Sequence, residues 1–115
     1  MKKAWIGKTV IGIALVHIVF GLVFFNDILW QLVREGLFNT IHEEFDRNAA
    51  FWFLYTGLVW VLLGIFIDDA EKKQLAVPRT ISQGLLVLTV LAVILMPASG
   101  FWLLFIPVGG LLTRK

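Results

Sequence analysis

ISQGLLVLTVLAVILMPASGFWLLFIPVGGLL, residues 81–112, decides how many times this chain passes between two polar sides. As one helix it would be roughly 48 Å long, well beyond a hydrocarbon core of about 30 Å. Pro97 has no N–H for the helix ladder, Gly100 breaks it, and Ser99 can cap a new start. The stretch therefore reads as a third span (about 81–96), a tight hairpin at Pro97 and Gly100, and a fourth span (about 101–113). The fourth is short, and Pro107 and the Gly109-Gly110 pair weaken it further. Three spans with a re-entrant C-terminal segment is the competing reading.

Upstream, the apolar run from Trp5 to Phe25 is interrupted by Lys8, Thr9 and His17. At roughly 31 Å it is long enough to cross. Its basic start resembles a signal peptide, but it exceeds the usual apolar length of about 7–15 residues and no small-x-small site follows. It reads as an uncleaved first span, about 5–25. Ala49 to Ile67 contains no charge and is the second span, about 49–67. Between them Ile28, Leu29, Leu32 and Val33 share one helical face, opposite Gln31, Arg34 and Glu35. That pattern predicts a short amphipathic interfacial helix, about 27–36, ended by Gly36. Asp68 to Thr80 reads as a polar loop. The expected fold is all-α: an integral membrane four-helix bundle, a single membrane domain over residues 1–115.

Charge gives an orientation. With the N-terminus in the cytoplasm, eight basic residues (Lys2, Lys3, Lys8, Lys72, Lys73, Arg79, Arg114 and Lys115) lie inside. Only Arg34 and Arg47 lie outside. The bias favours both termini in the cytoplasm of an inner-membrane protein, which needs an even number of spans. Trp30, Trp52 and Trp102 then fall at the outer boundary and Trp5 at the inner one.

Composition supports the bilayer. Of 115 residues, 59% are hydrophobic and 16% charged, and the mean hydropathy is +0.88. A soluble chain this short could not hide that much apolar surface. There is no cysteine, hence no disulfide, thiolate nucleophile or cysteine-ligated metal. The net charge is +2, with the basic residues in short flanks rather than on one face, so nucleic acid is not an expected partner.

His17 is the ionisable residue well inside a span, which makes it a functional candidate by default. Depth arithmetic places Tyr55, Thr56 and Thr89 near it, and together they would form an intramembrane polar layer. A packing role for His17, through one interhelical hydrogen bond, is the plainer expectation. Gly7, Ala14 and Gly21 in the first span, and Ala50, Gly57 and Gly64 in the second, place small residues seven apart. Such a seam allows two antiparallel helices to approach closely. The outer segment holds His42, Glu43, Glu44, Asp46 and Arg47, without the spacing of a known metal motif, and reads as a solvated acidic loop. No catalytic residue, metal site or cofactor is assigned. A second axial haem ligand, an intramembrane carboxylate pair and a phosphate loop are all missing from the spans.

W-x-G-x4-G-x4-H-x3-G (Trp5, Gly7, Gly12, His17, Gly21), GLFNT (Gly36 to Thr40), R-x-A-A-F-W-F (Arg47 to Phe53) and MPASGFW (Met96 to Trp102) carry a resemblance. Together they resemble a family of short bacterial four-helix membrane proteins known only as a domain of unknown function. That family implies a fold but no activity and no site. The layout is also similar to DoxX-like membrane proteins. Small multidrug exporters share the length, but they depend on a carboxylate in the first span, where this chain has His17.

The expected role is a non-enzymatic binding or accessory subunit, with membrane lipids and either further copies or another membrane protein as partners. An oligomeric transporter or channel around His17, and an outer-face enzyme acting on lipid or quinone, are the alternatives.

Overall fold

The computed structural model describes residues 3–97 and 100–114. Among them the chain is helical almost throughout: α1 (Ile6–Phe24), α2 (Asn26–Arg34), α3 (Phe45–Lys72), α4 (Arg79–Leu95), a 3-10 turn (Gly100–Leu104) and α5 (Phe105–Thr113). Ala98 and Ser99, including the cap expected at Ser99, lie outside the described residues.

α1 and α3 run antiparallel and pack closely, because each helix presents small residues against the backbone or larger side chains of the other. A methyl group added at Gly7 would lie 2.2 Å from the Asp68 backbone nitrogen, and one at Gly21 would lie 2.7 Å from the Phe53 ring. Gly57 lies against Ile18 in the same way, and Gly64 against Ile11. Ala14 and Ala50 are buried in the same interface. In an apolar solvent, where hydrophobicity cannot drive association, such close contact is what holds two helices together.

α3 is longer than the 49–67 expected of the second span. Its polar end, read from sequence as loop, stays helical through Lys72. Ion pairs one turn apart support it: Asp68 with Lys72 at 2.8 Å and Asp69 with Lys73 at 3.0 Å. The helix then closes in a Schellman motif, with Leu75 N–H donating to the Ala70 carbonyl and Gln74 N–H to that of Glu71. Gln74 takes the left-handed position, with φ of 56°. α2 ends by the same device, with Gly36 at φ 91°.

α4 stops where the sequence dictates. Met96 precedes Pro97 and leaves the helical region (φ −136°, ψ 72°). The return segment is not one continuous α-helix. The Pro107 ring cannot sit over the Leu103 carbonyl in an α-helix, so the chain takes a 3-10 turn first and places Pro107 in the first turn of α5, where no N–H is needed. The Gly109-Gly110 pair does not unravel α5. Gly110 makes room for the Trp5 ring, 2.7 Å from where its Cβ would be.

The helices form a row in the order α3, α1, α5, α4, with α2 across one end against α1 and α3. No Cα of α3 comes within 8 Å of one in α4, although the loop 73–78 joins them. The row is curled, because Trp60 and Leu63 of α3 and Leu85 of α4 all reach the same core of Ile6, Val10, Ile67 and Leu111. α1 and α3 are each long and apolar enough to cross a membrane, and only 28% and 22% of their most apolar stretches are buried. Val16, Val19 and Val23 of α1, and Leu58, Leu62 and Phe66 of α3, point outward. The chain thus carries the apolar surface of a membrane-associated protein.

Candidate functional site

α1 begins without a capping side chain of its own. Trp5 holds the cap position, and the first turn contains no acidic residue. The first N–H groups of any helix need acceptors and carry the positive end of its dipole. Here a residue from α3 supplies them. The Glu71 carboxylate accepts from Gly7 N–H at 2.6 Å, Ile6 N–H at 3.1 Å and Trp5 N–H at 3.3 Å.

Glu71 also accepts from the Arg114 guanidinium, while Arg114 donates through its other terminal nitrogen to the Lys3 carbonyl. The Glu71 side chain is 3% exposed. Burying a carboxylate is tolerable only when its oxygens are bonded, and these are bonded by three amides and a guanidinium. The group therefore ties the start of α1, the end of α3 and the residue after α5 at one point. Beside it Arg79 donates to the Leu112 carbonyl at 2.7 Å, fixing the start of α4 to the end of α5. A cavity of about 210 Å³ opens next to this junction, with Glu71, Gln74, Val77, Leu111 and Arg114 among its lining.

At the opposite end Arg47 donates to both carboxylate oxygens of Glu35 and to the Thr40 carbonyl. The Asn48 side chain donates to the carbonyls of His42 and Glu44. Glu35 is held below the usual carboxylate range by the Arg47 hydrogen bond, against a smaller opposing effect of burial. Glu44 is also held low, first by the His42 backbone N–H. The loop between α2 and α3 is thus tied down by its own charges. No three His, Cys, Asp or Glu side chains converge as a metal site among the described residues.

The structure does not bring the four residues of the expected polar layer together. His17 Nε2 lies 2.7 Å from the Phe53 carbonyl, and the ring stacks on that of Phe53 at 3.7 Å. A carbonyl can only accept, so Nε2 carries the proton. Tyr55 is exposed and stacks on Phe51. Thr89 donates to Leu85 within its own helix, and α4 packs on the 3-10 turn and α5, away from His17. Thr56 is half-buried. The expectation failed because depth along a helix does not specify rotation about it, and because the nearest acceptor is main chain.

The sequence reading also passed over Glu71 and Arg114. A signal was present: the small-residue register Ala50, Gly57, Gly64 reaches Glu71 at its next step of seven.

A family model described as a family of unknown function, DUF6463, matches residues 1–115, and the chain belongs to that family. A 59-residue segment is 32% identical to "Cytochrome bo(3) ubiquinol oxidase subunit 3" of Buchnera aphidicola subsp. Schizaphis graminum (strain Sg), taking in 51% of this chain and 31% of that protein. The chain thus spans about a third of the length of this relative. No solved structure matches the chain. The family is shown by these comparisons; the DoxX-like layout gains no support from them.

Proposed function

We propose that this DUF6463 protein is a four-span inner-membrane protein with both termini in the cytoplasm, acting without catalysis as an accessory subunit of a membrane assembly. The observation that carries the reading is where its buried polar chemistry goes. The Glu71 carboxylate is engaged by three backbone amides and Arg114, and serves to lock helix ends rather than to meet a substrate. The outward apolar faces of α1 and α3 supply a large surface for lipid or a neighbouring membrane helix. The partial similarity to a protein named as one subunit of an oxidase points in the same direction. The basic residues gathered at the Glu71 end support placing that end in the cytoplasm.

Two measurements test this. A reporter active only in the cytoplasm, fused after Lys115, should be active; activity of a periplasm-only reporter there would refute the four-span topology. On a native gel of solubilised source membranes, the tagged chain should run above the purified chain. Co-migration of the two would refute the accessory-subunit role.

A further inference from the structure

We infer that the turn at Gly36, Leu37 and Phe38 is a pre-shaped apolar prong, and that it enters an apolar hollow rimmed by Lys or Arg on another membrane protein. The inference rests on the accessory-subunit reading above and names the surface that serves it. Leu37 is the centre of a γ-turn: its φ is 67°, and Phe38 N–H donates to the Gly36 carbonyl at 2.7 Å. Such a turn is rare and strained for a residue with a side chain. Asn39 also lies in the left-handed region, with φ of 55°. The strain secures no internal packing. Leu37 is exposed, and Phe45 at 92% and Phe38 at 90% are the most exposed large apolar side chains among the described residues.

The turn is nevertheless held in place. The buried Thr40 hydroxyl donates to the Leu37 carbonyl at 3.0 Å, Leu37 N–H donates to the Leu32 carbonyl, and Arg47 joins the Thr40 carbonyl to Glu35. A fluid bilayer has no shape to match, so an anchor in lipid gains nothing from a fixed, strained turn. A shaped protein hollow does favour it, because the ordering is complete before contact. Charge agrees. From α2 to the start of α3, Asp27, Glu35, Glu43, Glu44 and Asp46 outnumber Arg34 and Arg47. Glu43, Glu44 and Asp46 are exposed and form no ion pair among the described residues. Segments that settle on bilayer surfaces carry basic residues instead. Carboxylates beside an apolar tip are complementary to cations around an apolar hollow.

The test compares variants of the full chain on a native gel of solubilised source membranes, with the unfolding midpoint of each purified variant as the check on folding. In Phe38→Ser the share of chain in the larger assembly should fall about tenfold or more, as when an anchoring aromatic is truncated. Glu43→Lys, at an exposed position, should cut it several-fold. Arg47→Gln makes the loop more negative but releases the brace, so a pre-shaped prong requires a fall where charge alone would give a rise. An undiminished share in Phe38→Ser overturns the prong, one in Glu43→Lys overturns the basic rim, and a rise in Arg47→Gln overturns the pre-shaping. A wild-type chain that never runs above the purified one overturns the accessory-subunit reading itself. The chain has no cysteine, so a spin label on Phe38→Cys reports alone. In phosphatidylcholine vesicles of the purified chain a water-soluble nickel complex should reach it. A label reached only by oxygen would make lipid the occupant, and a purified dimer that Phe38→Ser dissociates would make it a second copy; either result overturns the proposal.

Discussion

The Glu71 carboxylate sits 2.6 Å from the amide of Gly7, a residue 64 positions earlier in the chain, and caps a helix that cannot cap itself. The same glycine lies against the backbone of Asp68, so the capping bond and the closest helix contact occur at one place. Absence of a side chain at Gly7 lets α3 come near enough for Glu71 to reach the amides.

Removing Glu71 should therefore be the most damaging single truncation at this end. Glu71→Ala strands Arg114 and three amides together, and a loss of about 3–5 kcal/mol is expected, as for a broken buried pair. Arg114→Ala leaves the carboxylate its three amide donors and should lose less, roughly 1–3 kcal/mol. Thermal or denaturant unfolding in one detergent compares the two; a larger loss from Arg114→Ala would make the cap secondary to the ion pair.

Two glycines of α1 should respond in opposite directions. Gly7→Ala places a methyl group against the Asp68 main chain, which has no flexible end to move aside, and overpacking of this kind costs about 1–3 kcal/mol. Gly12 has open space around its missing Cβ, so Gly12→Ala should stabilise by about 0.5–1 kcal/mol through helix propensity. The unfolding midpoints of the two variants, measured together, test the packing.

His17 should contribute modestly. His17→Leu removes the bond to the Phe53 carbonyl, and interhelical bonds of this type are worth about 0.6–2 kcal/mol. A loss at the low end is expected, since that carbonyl can still accept the N–H one helical turn on. Nitrogen NMR of the ring should show hydrogen on Nε2. A bare Nε2 would refute the contact.

The loop between α2 and α3 should loosen in acid. Because Glu35 is held below the usual range by Arg47, their contact favours the ordered loop above the unfolded-state value of about 4.3, and the benefit disappears as pH falls through the lower folded-state value. Amide exchange across residues 36–44, corrected for intrinsic rates, should quicken in that acid window. Arg47→Gln should flatten the dependence, and an unchanged profile in that variant would exclude the pair as its cause.

Much of the helix plan was legible because hydropathy and breakers are local properties. The runs around His17 and Gly57, and the stop at Pro97, follow from residues acting on their own neighbourhood. The end of α3 was misread because charges at Asp68, Asp69, Lys72 and Lys73 end an apolar stretch without ending a helix; their spacing of four supports it. The junction at Glu71 was hidden for a related reason. Its partners at Trp5, Ile6 and Gly7 are main-chain groups, which no side-chain pattern displays, and Arg114 reaches it only once α5 has folded back.

Proline is ordinarily welcome at the first position of a helix, where its missing N–H goes unnoticed. Ile6 occupies that position in α1, yet its N–H is committed to Glu71. The chain has therefore given up a freedom most helix starts enjoy. Variation at Trp5, Ile6 and Gly7 is constrained by the peptide bond as well as by the side chain, so imino acids should be excluded there even from relatives whose side chains at these positions have diverged.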